Sequence, residues 1–195
     1  MHRIISVDKP KGERGTESEI IIPEFLKTVS ALLSTFPLSE VPSLIADYLP
    51  VLMACPDLLT PEQRSLNGKD YEKHEVFLCP NDEFSVLSVV WPAGIYSPIH
   101  DHKTWCTFGV FDGVIQETRY RADPINPGGL DVIRTEKVER ITGDVAHLPV
   151  GGGDIHCMHN PTDRAAVSVH VYGGNSVKIG PNVVNVYQET EITTA

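Results

Sequence analysis

The chain has 195 residues, a length that suits one domain with a real hydrophobic core. Its hydrophobic share of 41%, charged share of 22% and formal net charge of -10 are those of a soluble globular protein and argue against a nucleic-acid footprint or electrostatic docking on anionic membranes. No apolar run reaches bilayer length, and the start M-H-R-I-I-S-V-D-K-P has no signal-peptide core, so the expected location is cytoplasmic.

Residues 1–20 are polar, with Gly12, Gly15 and several charges, and are expected to be loosely ordered. Residues 21–68 are expected to be helical. P-E-F-L-K-T-V-S-A-L-L-S-T-F and L-S-E-V-P-S-L-I-A-D-Y-L-P-V-L-M-A repeat apolar positions at three- and four-residue steps. T-P-E-Q-R-S predicts a third helix start, capped by Thr60 with Pro61 at its first position.

A β region is expected over residues 70–190, because from residue 71 the apolar period falls to two. F-S-V-L-S-V-V-W, T-F-G-V-F, V-I-Q-E-T-R-Y, D-V-I-R-T-E-K-V-E-R, D-V-A-H-L and A-A-V-S-V-H-V-Y are strand candidates, punctuated by Gly, Pro, Asn and Asp. Many short strands with such turns predict a closed antiparallel barrel or jelly roll. The helices are too few to fold alone. The expectation is one mainly β (α+β) domain over residues 1–195, with a short N-terminal helical segment packed on the barrel.

The four cysteines, Cys55, Cys79, Cys106 and Cys157, lack metal-finger or disulfide-framework spacing and are expected to be free thiols. The chemistry concentrates in residues 94–113, G-I-Y-S-P-I-H-D-H-K-T-W-C-T-F-G-V-F-D-G. On a strand, side chains i and i+2 share a face, so His100 and His102 point one way and Asp101 the other. Imidazole suits iron, zinc, copper and nickel. A lone H-x-H also arises by chance on surfaces and in cores. A third ligand candidate, His156, lies in residues 143–160, G-D-V-A-H-L-P-V-G-G-G-D-I-H-C-M-H-N.

The two stretches resemble the paired motifs of the cupin superfamily. Gly94, His100, His102 and Gly113 fit the first, G-x5-H-x-H-x3-E-x6-G; Gly143, Pro149, Gly151, His156 and Asn160 fit the second, with two extra residues before His156. The first departs at one position, where Cys106 replaces the usual glutamate ligand. Three neutral histidines around Fe(II) would fill one face of an octahedron. Three positions then stay open for a thiol, its neighbouring amine or carboxylate, and O2. A fourth protein ligand would block that set. A metal also favours loss of a bound thiol's proton.

Ser168, His170 and Tyr172 share one face of S-V-H-V-Y and can form a hydrogen-bonded relay that presents the phenol to the metal cavity. The competing reading is a core strand whose polar groups satisfy one another. Trp91 and Trp105 are candidates for an aromatic wall, with Trp105 favoured for the cavity rim because it precedes Cys106; core packing is the alternative for both. His2, His147 and His159 are read as structural or exposed.

These segments, with S-P-I-H-D-H, H-C-M-H-N and S-V-H-V-Y-G-G-N, resemble the cysteine dioxygenase type I family, thiol dioxygenases of the cupin superfamily. The resemblance covers roughly residues 70–175. It implies a cupin barrel, Fe(II) held by His100, His102 and His156, and an outer triad of Ser168, His170 and Tyr172. It also raises a thioether between Cys106 and Tyr172, as in animal members, against the plainer reading of Cys106 as a cavity wall. Family members that act on cysteine hold its carboxylate with an arginine just after a tyrosine. Here that segment reads Tyr71, Glu72, Lys73, His74, so Lys73, Tyr71, His74 and Trp105 are the candidate substrate contacts. A solvated strand-edge lysine is the alternative for Lys73.

The expected function is oxidation of a small thiol by O2 to its sulfinic acid, with cysteine, 3-mercaptopropionate and related mercapto acids as candidates. Another metal-dependent cupin enzyme, an isomerase or hydrolase, and a non-enzymatic ligand-binding cupin are the rival readings. No nucleic-acid or membrane partner is expected; monomer and homo-oligomer are both open.

Overall fold

The computed structural model describes residues 17–148 and 154–190. Two helices lead, α1 (Glu17–Thr35) and α2 (Val41–Met53). Pro42 sits in the first turn of α2, where a missing N–H removes no helical bond. Phe25, Val29 and Leu32 of α1 recur at helical spacing, as do Val41, Ile45, Leu49 and Leu52 of α2, and all are buried in one cluster. Burial of such a side chain contributes about 1.5–3 kcal/mol. Among the described residues no helix is long and apolar enough to cross a membrane.

Two helical expectations change. Helix α1 begins at Glu17, within the stretch expected to be loose through residue 20, because Ile21 and Ile22 already pack on the core and the helix runs back from them. Residues 1–16, and His2 with them, lie outside the described residues. T-P-E-Q-R-S forms only a single 3-10 turn, Glu62–Arg64. Thr60 and Gln63 bond reciprocally through side chain and backbone (2.9 and 3.3 Å), and Ser65 then turns extended.

Ten strands follow: β1 (Glu72–Leu78), β2 (Phe84–Trp91), β3 (Ile99–His100), β4 (Cys106–Asp112), β5 (Val114–Ala122), β6 (Asp131–Ile141), β7 (Val145–Leu148), β8 (His156–His159), β9 (Ala166–Gly173) and β10 (Val186–Glu189). A short helix, α3 (Ser176–Ile179), precedes β10. One sheet runs β1-β2-β9-β4-β7; the other closes in the order β10-β3-β8-β5-β6. The ladders are antiparallel except β10 with β6. The six strands expected from alternation coincide with β2, β4, β5, β6, β7 and β9.

The first sheet is buried on both faces, and strand alternation sorts its residues. On β2, Val86 and Val90 meet the helices, while Leu87, Val89 and Trp91 face the second sheet. On β9, Val167, Val169 and Val171 meet the helices, which leaves Ser168, His170 and Tyr172 inside the barrel. Thr107 on the outer face of β4 donates to the Pro42 carbonyl (2.7 Å) and ties the sheet to α2. Gly113 turns the chain from β4 to β5 at φ +87°, where a Cβ would come within 2.9 Å of Ala166; Gly143 turns it from β6 to β7 at φ +96°. Both are glycines of the motif pair, and both occupy backbone that L side chains rarely adopt.

Candidate active site

The register of two short strands builds the centre of the site. His100 on β3 stands directly opposite His156 on β8, and His102 follows two residues after His100. The ligand atoms of the three lie within 4.8 Å of one another. Their ring centroids are 4.7 Å (His100–His102), 4.9 Å (His100–His156) and 5.0 Å (His102–His156) apart. Asp101 turns the other way and accepts from Asn185 N (2.7 Å), Asn185 Nδ2 (2.9 Å) and the Tyr187 hydroxyl (2.7 Å), anchoring the strand to β10.

Each ring is held by its Nδ1. His100 Nδ1 donates to the Pro98 carbonyl (2.9 Å), His102 Nδ1 to Asp154 Oδ2 (3.0 Å) and His156 Nδ1 to Glu117 Oε1 (3.3 Å). These partners are acceptors, so the proton resides on Nδ1 and each Nε2 keeps a lone pair for a metal. Burial, with His156 and His102 close by, lowers His100 to about 3. Burial also lowers His156, against the pull of Glu117. The two rings are therefore neutral at physiological pH. A set of neutral imidazoles fits Fe(II), and equally zinc, copper or nickel.

Glu117 is wholly buried on β5. Burial works to raise its carboxyl, but the His156 bond and the guanidinium groups of Arg119 and Arg140 outweigh it and hold the pKa at about 2. Arg140 reaches Glu117 Oε2 at 2.5 and 3.0 Å, and Arg119 Nε reaches Oε1 at 3.1 Å. Neither Glu117 nor Asp154 was singled out from sequence. A glutamate placed two residues after buried Ile115 on the same strand face was the available signal.

The relay is present as a chain of contacts. Trp91 Nε1 donates to Ser168 Oγ (2.9 Å), Ser168 Oγ lies 2.8 Å from His170 Nε2, and His170 Nδ1 lies 3.1 Å from the Tyr172 hydroxyl. Trp91 is a donor only, so Ser168 accepts from it and keeps its own proton to give to His170 Nε2. His170 then holds its proton on Nδ1 and donates it to the Tyr172 oxygen, leaving the phenolic proton free for the cavity. Burial, followed by the charge of Lys73, lowers His170 well below its usual range, which keeps the ring neutral. His170 also stacks on Phe108, centroids 5.3 Å apart. Cys106, a buried free thiol, lies with its Sγ 3.8 Å from His170 Nδ1.

A cavity of about 20 Å³ is enclosed by the three histidines with Val89, Trp91, Ser97, Met158, His170, Tyr172, Tyr71 and Lys73. It adjoins an outer cleft of about 640 Å³, with Tyr71, Lys73 and Tyr172 shared between the two. Tyr71 stacks on Trp91 at 4.8 Å. Lys73 is exposed as a residue, yet its ammonium lies 5.8 Å from the Tyr172 ring centroid; desolvation there lowers its pKa, with Cys106 opposing. The sequence expectation for His74 is corrected: alternation on β1 turns it to the opposite face, where Nε2 contacts the Ser65 carbonyl at 3.0 Å. Trp105 is corrected likewise. Its neighbour Cys106 faces inward, so Trp105 faces outward into the helix-side core against Gly173.

Asn160, last residue of the second motif, is a buried tie. Its Nδ2 donates to the carbonyls of Trp91, Pro92 and Arg164, and its Oδ1 accepts from Thr162. Pro149 and Gly151 lie outside the described residues. His147 is exposed on β7, and His159 stacks on Tyr96 at 3.6 Å, away from the cavity.

A two-sheet β-barrel carrying three convergent histidines defines a cupin with a site able to hold a metal. The sequence model of cysteine dioxygenase type I matches residues 53–178, and the chain belongs to that family. Solved structures with a similar course include a conserved protein with a double-stranded β-helix domain from Klebsiella pneumoniae, 14% identical, covering 65% of this chain and 92% of that one with a TM-score of 0.46. A cupin superfamily protein from Desulfitobacterium hafniense is 10% identical over 60% of this chain and 90% of its own, TM-score 0.42. A cupin sugar phosphate isomerase from Silicibacter pomeroyi is 22% identical over 47% of this chain, TM-score 0.36; the match spans 50% of that isomerase.

Proposed function

We propose that this chain is an Fe(II)-dependent thiol dioxygenase of the cytoplasm, which converts a small mercapto acid such as cysteine or 3-mercaptopropionate to its sulfinic acid. The reaction balances without a further reductant: the S–H bond is lost, two S–O bonds form, sulfur gives up four electrons and O2 accepts four. Held by His100, His102 and His156, Fe(II) supplies the redox chemistry that lets O2 react with a thiolate.

The protein's own groups have separable tasks. Neutral ligands leave the metal's positive charge undiminished, which favours the thiolate form of the substrate. Tyr172 directs its phenolic proton at the reacting atoms, and His170, Ser168 and Trp91 hold that proton in place. Lys73, at the mouth of the cavity, offers a cation to the carboxylate of a thiol acid, as a point charge and not a bidentate fork. Val89, Trp91 and Met158 keep the cavity dry.

The observation that carries this reading is the relay from Trp91 to Tyr172, which ends beside the three histidines in a chain of this family. The test is anaerobic loading with Fe(II), then O2 uptake with cysteine and with 3-mercaptopropionate. Isotopically labelled O2 should place both atoms in the sulfinate. Iron-replete protein that consumes no O2 with either thiol overturns the proposal.

A further inference from the structure

Glu117 carries one cation more than its charge requires. Its Oε2 accepts from Arg140 Nε (3.0 Å) and Arg140 Nη2 (2.5 Å), and its Oε1 accepts from Arg119 Nε (3.1 Å). His156 Nδ1 donates to the same Oε1 at 3.3 Å, the longest of the bonds that hold the three rings. Strand register sets the cluster. Arg119 is the direct cross-strand partner of His156, and Arg140 stands across from buried Ile115 on the barrel-facing side of β6. One guanidinium neutralises one carboxylate. The second leaves a surplus positive charge in a half-buried place, which costs desolvation and calls for a reason.

Asp154 supplies the opposite charge. It is buried, and it accepts from the backbone N–H and the Nδ1 of His102 (2.9 and 3.0 Å). Among the described residues its ion pairing is with that ring alone. The Pro98 carbonyl behind His100 carries no charge. The groups behind the rings are thus neutral at His100, negative at His102 and positive at His156, and they cancel. Without the two arginines, two carboxylates would stand behind the rings and draw down the positive charge of a bound metal.

We infer that Arg119 and Arg140 act through Glu117 to balance the charge around the metal site, which raises the potential at which bound iron leaves the ferrous state. This rests on the reading of His100, His102 and His156 as an iron centre, and not on which thiol is oxidised.

The test is the Fe(III)/Fe(II) potential of iron-loaded protein without thiol, read by mediated spectroelectrochemistry. Arg140→Met removes the charge and keeps much of the volume. At a fixed applied potential its oxidised-to-reduced ratio should rise about tenfold, a downward shift of about 59 mV for one electron. Arg140→Lys keeps the charge, loses the planar fork, and should sit near the wild type. Asp154→Asn removes a negative charge, so its potential should move upward. A purely structural cluster gives another pattern, in which both Arg140 variants lower Tm and neither moves the potential. That pattern overturns the inference, as does a shift of the same sign in Arg140→Met and Asp154→Asn. Should Arg140→Met not fold, Arg119→Gln takes its place. That side chain is 32% exposed, so the downward shift should be smaller. An unmoved potential there overturns the inference equally. Iron-loaded protein that oxidises no thiol yet shows these shifts fails the dioxygenase reading and leaves the charge balance standing.

Discussion

Cys106 on β4 and Tyr172 on β9 are direct cross-strand partners, and both side chains close on one ring nitrogen: His170 Nδ1 lies 3.8 Å from the thiol sulfur and 3.1 Å from the phenol oxygen. Burial raises the pKa of both groups, so both are protonated at neutral pH. A thioether between them therefore requires oxidation, with loss of one hydrogen from each partner. After repeated turnover with iron and O2, the intact mass of denatured, reduced protein should include a species lighter by about two hydrogens, since a thioether, unlike a disulfide, survives reductants. Cys106→Gly should show no such species and turn over more slowly, the phenol having lost a tether. A single unshifted mass after prolonged turnover returns Cys106 to a wall of the cavity.

The metal site makes a two-level prediction. Replacing His100, His102 or His156 by Ala should remove metal and activity together. Asp154→Asn and Glu117→Gln should keep the donor set but weaken metal binding by roughly 10–100-fold, because they release the rings of His102 and His156. Glu117→Gln should also destabilise the fold, since Arg119 and Arg140 then lose their buried counter-charge. Metal competition against a chromogenic chelator measures the first effect and urea melts the second. Unchanged affinity in Asp154→Asn removes that carboxylate from any role at the site.

For the relay, Tyr172→Phe should slow turnover by roughly 10²–10⁴ with iron content intact, the range expected for one positioned proton. Ser168→Ala and Trp91→Phe act through His170 and should cost less. Their signature is a loss in kcat with KM nearly constant. A Tyr172→Phe enzyme as fast as wild type ends the role given to the phenol.

What the sequence showed and hid follows from range. His100 and His102 were readable from the close spacing of their motif, although β3 itself ends at His100, and His170 and Tyr172 because alternation along β9 is local. Glu117 and Asp154 were not, since their partners lie 39 and 52 residues away and only the pairing of β5 with β8, or the loop before β8, brings them together. Strands β3, β8 and β10 have two to four residues, too few to display a period. Trp105 and His74 were misplaced by reasoning from adjacency. Neighbours on a strand face opposite ways, so Cys106 pointing inward sends Trp105 outward, and Lys73 at the cavity sends His74 away.

Lys73 and His74 give a paired test of that parity. Lys73→Met should raise KM for 3-mercaptopropionate by about tenfold, the loss of one charge-assisted contact, with a smaller change for a thiol lacking a carboxylate. His74→Ala should leave KM where it was, because its ring faces Ser65 and not the cavity. Steady-state kinetics on both thiols decides the matter. A Lys73→Met enzyme with an unaltered KM makes Lys73 a solvated strand-edge residue.

The buried charges set the pH dependence of the metal-free protein. His100 is held at about 3 in the folded state against 6.5 in an open chain, so below 6.5 the unfolded chain takes up a proton that the folded one refuses. Glu117, held at about 2 against 4.5, acts in the same direction at lower pH: its stabilisation is present above 4.5 and is lost as pH falls towards 2. His156 is lowered too and adds to the first phase. Stability of chelator-treated protein should therefore fall as pH drops from neutral to about 5, with a slope of up to about 1.4 kcal/mol per pH unit for each extra proton bound by the unfolded chain. Urea melts at a series of pH values measure the slope. His100→Gln removes one titrating ring without removing its volume, and it should flatten the curve between pH 6.5 and 3. A metal-free wild-type protein that holds its stability constant across that range would show that the cavity admits enough water to protonate the rings where they stand.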